Sequence, residues 1–287
     1  MVRKIIQIAS TLVMNANLSG LATGRIWQGR SKRVCVPGLN CYSCPAALGA
    51  CPLGALQMAI ASFGVAAMLY VVGMLMIAGV IFGRVVCGFL CPFGLVQELI
   101  SLPLMKLKIN RFMNRFKSRF KNNLKPHKNL NYIFLIIFVF LFPLIAYAST
   151  GLGSPAFCKY ICAAGTLQAG VPLMLLDARL RDAVGILHSW KIFLALCMII
   201  ACAFIYRPFC RICPLGAIYG LFNKIALVGM AVDENKCTNC GGCKRSSIGC
   251  PMQTYCTSNG CIRCGKCTKK CPSAAIKFEL RFRNQRS

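Results

Sequence analysis

Long uncharged apolar runs dominate this chain, in place of the alternation of a half-buried strand or the single stripe of a soluble helix. A membrane-crossing helix needs about 20 mainly apolar residues. Residues 55 to 83 supply such a run without one charged residue. Residues 130 to 148 supply a second, in which Pro143 predicts a kink that membrane helices tolerate. Residues 186 to 206 supply a third, with His188, Trp190 and Lys191 near its start. Trp190 suits an interfacial belt, and Lys191 is placed to snorkel. Residues 5 to 24 form a weaker fourth run, lowered by Asn15 and Asn17, and read either as a span or as a re-entrant segment. Gly79 and Gly83 form a GxxxG, a weak signal for close helix contact. After residue 232 the apolar runs stop, and a short cysteine-rich segment follows.

Composition narrows the class. Of 287 residues 57% are hydrophobic and only 14% charged. Soluble domains carry about 25% charged residues, so a water-soluble globule is excluded, as is a disordered chain. Charge is lopsided, with 34 Lys+Arg against 6 Asp+Glu. Nine of the basic residues lie between Lys106 and Lys128 with no acid among them, which orients that loop to the cytoplasm. A basic loop also raises nucleic-acid binding, but no nucleic-acid module accompanies it. Anionic lipid is the expected partner. Four spans would then leave residues 25 to 54 outside, where Arg25, Arg30, Lys32 and Arg33 sit awkwardly. Those cations favour the re-entrant reading of the first segment.

The 21 cysteines carry the chemistry. In the tail, Cys237, Cys240 and Cys243 form a C-x2-C-x2-C run, as do Cys261, Cys264 and Cys267. A Cys-Pro follows each, at Cys250 and Cys271. Three thiolates on one tight loop suit three irons of a cubane, whereas zinc sites use C-x2-C pairs.

The other cysteines gather at the ends of the apolar runs. Cys87 and Cys91 follow the first, Cys158 and Cys162 the second, and Cys210 and Cys213 the third. Cys41, Cys44 and Cys51 precede the first. Pairs spaced i,i+3 or i,i+4 share one helix face, so each pair is half of a cubane site. An internal repeat supplies the other half. Cys87 to Cys210 and Cys44 to Cys162 are separated by nearly equal lengths of chain. The inner motifs would join Cys87, Cys91, Cys210 and Cys213. The outer motifs would join Cys41, Cys44, Cys158 and Cys162, with Cys35 and Cys51 as rival ligands. The competing reading of these residues is buried small hydrophobes, and for Cys197 and Cys202 that reading is preferred.

Taken together, a CxxxCP motif after a membrane span, a near-copy of it after another, and a two-cluster ferredoxin tail resemble the NapH-type family of membrane 4Fe-4S proteins. NosR-like proteins share the membrane motif. The resemblance runs over residues 35 to 278. The tail resembles a bacterial two-cluster ferredoxin, in which the fourth cysteine of each run ligates the other cluster. Carried over, that implies Cys237, Cys240, Cys243 and Cys271 for one [4Fe-4S] cluster and Cys250, Cys261, Cys264 and Cys267 for the other. Six residues separate Cys243 from Cys250 where the ferredoxin pattern has three. Cys210 and Cys213 are one residue short of CxxxC, and Ala163 stands where a proline is expected.

The implied architecture is a polytopic α-helical membrane protein of about four spans and two pseudo-repeats, with a C-terminal α+β ferredoxin-like domain. Its parts are residues 1–54, a transmembrane region 55–232, a cluster domain 233–278 and a basic tail 279–287. The implied function is electron transfer at the cytoplasmic membrane of a prokaryote, with a quinone pool or a partner reductase. The basic tail domain suits an acidic flavodoxin or ferredoxin donor. A redox sensor or metal-centre assembly factor is the alternative. His127 and His188, the only histidines, cannot bracket several haems, and no G-x-G-x-x-G is present.

Overall fold

The computed structural model describes residues 2–106, 129–151, 153–177, 185–244, 250 and 252–280. The basic loop beyond Lys106 and the last seven residues lie outside that set.

Helices α1 (Val2–Met14) and α2 (Leu18–Thr23) replace the expected span over 5 to 24. Asn15 and Asn17 break it. The Asn15 side chain bonds back to the Thr11 carbonyl at 3.0 Å, and that of Asn17 to the Pro45 carbonyl at 2.8 Å. Helix α1 is amphipathic in an inverted sense. Ile5, Leu12 and Val13 point outward, while Gln7 is fully buried.

The run over 55 to 83 is also two helices, α3 (Pro52–Ala61) and α4 (Val65–Phe82). The break is a Schellman closure. Phe63 takes a left-handed φ of 49°, Phe63 N–H bonds to Ile60 O, and Gly64 N–H bonds to Ala59 O. Helix α5 (Pro92–Lys106) follows the first CxxxC. Helix α6 (Leu130–Thr150) is the second long apolar helix. It widens into π-helical turns over Leu135–Leu141, just before Pro143. A proline has no N–H and clashes with the carbonyl four residues back, so the preceding turn opens. Helix α7 (Ala163–Leu176) repeats this device before Pro172. Helix α8 (Ile186–Phe204) is the third long apolar helix, and α9 (Pro214–Phe222) follows its cysteines.

Among the described residues three helices, α4, α6 and α8, are therefore long and apolar enough to cross a membrane. Leu69, Ile77, Ile136, Ile145 and Ile200 stand on their exposed faces. So large an apolar surface is stable against lipid and not against water. Gly79 of the GxxxG meets Phe222 of α9, where an added Cβ would lie 2.6 Å from the ring. Gly83 instead turns the chain at a φ of 51°.

The tail begins with β1 (Val228–Val232), which pairs antiparallel with β2 (Ile276–Leu280), Met230 opposite Phe278. These strands close the cysteine-rich loops into one small unit.

A buried ion cluster ties α1 to α5. Glu98 pairs with Arg3 at 2.7 Å and Arg207 at 2.7 Å, and Tyr206 donates its hydroxyl to the same carboxylate. Burial pushes the Glu98 carboxyl up, but these partners overcome it and hold the pKa at about 2. Its stabilisation is complete above the ordinary carboxylate pKa of about 4.3 and is lost as pH falls through about 2. Glu98→Gln would leave two guanidiniums without a counter-charge. The expected cost is about 3–5 kcal/mol, read as a lower unfolding midpoint in detergent at neutral pH.

Candidate metal centres

The same local device recurs wherever a long helix meets a cysteine pair. The first cysteine sits in a wide or tight turn, and the second leaves in an extended conformation as the N-cap of the next helix. Cys87 lies in the π-helical turn Val86–Leu90, and Cys91 precedes α5 with ψ 115°. Cys158 lies in the π-helical turn Phe157–Ile161, and Cys162 precedes α7 with ψ 97°. Cys210 lies in the 3-10 turn Pro208–Arg211, and Cys213 precedes α9 with ψ 119°. The missing residue in the third motif is thus absorbed by a tighter turn. A π turn closes over five residues and a 3-10 turn over three. Cys51 repeats the N-cap role before α3, with ψ 124°.

These turns bring two quartets together. Cys87, Cys91, Cys210 and Cys213 line one small cavity of about 20 Å³ with Arg84, Phe93, Gln97 and Phe209. The expected inner four thus meet across the two halves of the chain. A second cavity, of about 1010 Å³, is lined by Cys41, Cys51, Cys158 and Cys162, and also by Cys35. Cys44 is not on that wall. It packs with Ala46, Ala47 and Ala169, its sulfur 4.0 Å from Asn15 Oδ1. The structure therefore brings Cys51, the rival ligand, to the outer site in place of Cys44. Lys191, read from sequence as snorkelling, lines this cavity together with Lys32 and His188. Cys202 is buried, as expected of a small hydrophobe, whereas Cys197 is exposed.

Sequence reasoning missed the residues that brace the quartets. A pattern Cys-x-x-Gly-x-x-Gln runs through residues 51–57, 91–97 and 162–168, with Tyr219 in the last place of 213–219. Each terminal residue reaches across to the opposite half. Gln57 accepts from Phe157 N–H at 2.9 Å and donates to Cys158 Sγ at 3.3 Å. Gln97 accepts from Phe209 N–H at 3.0 Å and donates to Cys210 Sγ at 3.9 Å. Gln168 accepts from Cys41 N–H at 3.0 Å, and Tyr219 donates to Pro37 O at 2.9 Å. The glycines leave the cavity wall bare. A Cβ on Gly54 would lie 3.7 Å from Cys158 Sγ, and one on Gly165 would lie 3.6 Å from Cys41 Sγ. Between the quartets, Phe209 packs edge-on against Phe93 at 5.1 Å and lies 6.3 Å from Phe157.

The tail repeats itself too. Asn239 and Gly241 flank the middle cysteine of the first triplet at positive φ, and Arg263 and Gly265 flank that of the second. Arg263 is strained there, and it is held by bonds from its guanidinium to the Val228 and Asn223 carbonyls. Cys237, Cys240, Cys243 and Cys271 line one cavity of about 610 Å³. Cys250, Cys261, Cys264 and Cys267 line another of about 20 Å³. The two cavities adjoin, since Cys243, Cys267 and buried Cys256 lie on both walls. Backbone bonding at Gly242 lowers the pKa of the exposed Cys240 thiol, and the Ser273 hydroxyl lowers that of Cys271.

The tail is docked on the inner quartet. Ile262 packs with Cys210, Cys87 and Cys264. Arg84 donates to the Asn259 and Gly260 carbonyls at 3.3 and 2.8 Å, and Asn223 donates to the Cys261 carbonyl at 2.9 Å. Phe89 meets Phe278 edge-on at 5.8 Å, and Lys266 Nζ lies 3.4 Å from the Tyr206 ring centre.

The donor sets fit iron–sulfur clusters. All are thiols, spread around cavities; among the described residues no three metal-binding side chains converge as for a single ion. Arg84 and Arg207 are buried at the inner site, and among the described ion pairs only Arg207 meets a carboxylate, that of Glu98, so an anionic guest is electrically suited. Three segments, residues 63–111, 132–175 and 188–229, match the family model of a 4Fe-4S binding domain. Those segments mark 4Fe-4S binding in this chain. Each matched segment holds one span, one cysteine turn and the helix it caps. An uncharacterized protein of Methanocaldococcus jannaschii is 27% identical over 208 residues, 70% of this chain and 67% of its own length. YccM of Escherichia coli, named for a proposed role in electron transport, is 23% identical over 75% of this chain and 56% of its own. The ferredoxin-type protein NapH of Haemophilus influenzae is 31% identical over 84 residues, 25% of this chain and 29% of its own. No solved structure matches. These likenesses agree with the NapH-type resemblance, with [4Fe-4S] clusters as cofactors and with an iron–sulfur role in electron transfer at a membrane.

Proposed function

We propose that this chain is a membrane electron-transfer subunit joining a ferredoxin domain on the cytoplasmic face of a prokaryotic inner membrane to an exchange site at the outer cavity. Bound clusters supply one-electron carriers; the chain supplies their ligands, spacing and surroundings. The proposed ligands are Cys237, Cys240, Cys243 and Cys271; Cys250, Cys261, Cys264 and Cys267; Cys87, Cys91, Cys210 and Cys213; and Cys41, Cys51, Cys158 and Cys162. The contact at Gly88 carries the reading. Gly88 lies between two inner cysteines, and an added Cβ would stand 2.6 Å from the Ile262 carbonyl oxygen. Only a bare backbone allows the second tail loop so close to the inner quartet.

Orientation follows from charge. Helix α6 starts beside α9 and Asn259 of the ferredoxin domain, and the basic stretch immediately precedes that start in the sequence. Positive charge favours the cytoplasm for both. Exposed Cys240, with Lys270 on the same cavity, suits an acidic flavodoxin or ferredoxin donor. The outer cavity is larger than four thiols require and carries Tyr42, Tyr70 and His188. Its size lies at the upper end of small-molecule sites, which favours a quinone over a protein reductase there.

The test uses the protein in sealed vesicles. An impermeant reductant on the ferredoxin side should reduce an impermeant acceptor on the other side. Absence of transfer by fully iron-loaded protein would sink the conduit and leave the sensor or assembly reading.

A further inference from the structure

The inner quartet carries a pair of arginines that the outer quartet lacks. Arg84 stands three residues before Cys87 and Arg207 three before Cys210, each just past the end of a long apolar helix. Both are sealed from solvent, at 1% and 0% exposure. They clasp the site crosswise. Arg84 donates to the Cys210 carbonyl at 3.2 Å, and Arg207 donates to the Cys87 carbonyl at 2.9 Å. The Nε of each has no partner among the described residues. Among the described ion pairs Arg84 has no carboxylate, and Arg207 shares Glu98 with Arg3. The equivalent positions at the outer site are Pro155 before Cys158 and Gly38 before Cys41.

We infer that Arg84 and Arg207 set the order of potentials in the membrane, raising the inner centre above the outer one. The inference rests on reading the inner quartet as a cluster site. Each reduction there adds one electron, given up by a neighbouring centre, to an already anionic group. Fixed positive charge favours that step, and it acts strongly where the surroundings are dry. The inner cavity is only about 20 Å³, and Arg84, Phe93, Gln97 and Phe209 on its wall are buried. At the outer cavity, Lys32 is tied by its ammonium to the Ala47 carbonyl at 2.7 Å, and the space in front of it and Lys191, at about 1010 Å³, is roomy enough for water. An electron shared between the two membrane centres therefore rests on the inner one.

The experiment is a potentiometric titration of the full-length, anaerobically purified protein, followed by electron paramagnetic resonance. Cys87→Ala and Cys51→Ala assign the inner and outer signals by their loss. In the wild type the inner signal should appear at the higher potential. Arg84→Gln and Arg207→Gln should each lower the inner reduction constant about tenfold or more, about 59 mV for one electron. The outer signal should not move, and Arg84→Lys and Arg207→Lys should retain most of the wild-type value. An inner midpoint at or below the outer one overturns the inference. So does an unmoved inner midpoint in both glutamine variants with iron intact. If those variants lose iron, the wild-type order decides alone. Wild-type iron content in Cys87→Ala would instead remove the cluster assignment, and this inference with it.

Discussion

Cys51→Ala is expected to remove about four of about sixteen iron atoms per chain, while Cys44→Ala leaves the count unchanged. The two residues lie in one short loop, and nothing in their spacing separates them. Their surroundings do. Cys51 is an N-cap before a proline-started helix, as are Cys91 and Cys213. That role aims its thiol into the cavity shared with Cys158 and Cys162. Cys44 packs among alanines away from that cavity. Iron and acid-labile sulfide analysis of anaerobically purified protein checks this. Loss of iron from Cys44→Ala with full iron in Cys51→Ala would reverse the outer ligand set.

Gly88→Val is expected to cut reduction of the membrane centres by the ferredoxin domain while leaving all clusters in place. The added side chain would enter space held by the Ile262 carbonyl, and that backbone cannot rotate aside as a side chain can. Overpacking at such a contact costs about 1–3 kcal/mol, which tilts the domain without unfolding either part. Lys266 on Tyr206 and Phe278 on Phe89 would be pulled from register. Rapid-mixing kinetics should show tail clusters reduced at the wild-type rate and membrane centres reduced slowly. Wild-type kinetics throughout would mean that electrons do not cross at this contact.

Much of the site was legible because cysteine ligand spacing is local. A triplet on one loop is visible in sequence whatever surrounds it, and each tail triplet lies on the wall of a cavity. The inner quartet was legible for a related reason, since a repeated motif at the ends of two spans has one face on which to meet. The bracing residues were equally present as a pattern, in Cys-x-x-Gly-x-x-Gln. Their role was hidden because Gln57 and Gln97 act on the opposite half of the chain, about 100 residues away by sequence.

The helices divide in the same way. Hydropathy located the apolar runs, because transfer to lipid depends on composition summed over a window. It did not locate the break at Phe63, since a left-handed closure on a bulky residue depends on hydrogen bonds to Ile60 and Ala59. Nor did it resolve residues 5 to 24, where Asn15 and Asn17 choose backbone partners. What the sequence by itself determined is therefore the apolar runs, the cluster chemistry and the grouping of cysteines into local motifs, each set by local spacing or summed hydrophobicity. Tertiary structure alone decided that Cys51 joins Cys41, that the second tail loop abuts the inner site, and that Arg84 and Arg207 cross over it. Those three outcomes depend on which distant segments share a buried volume, and close packing across the two halves is what selects them.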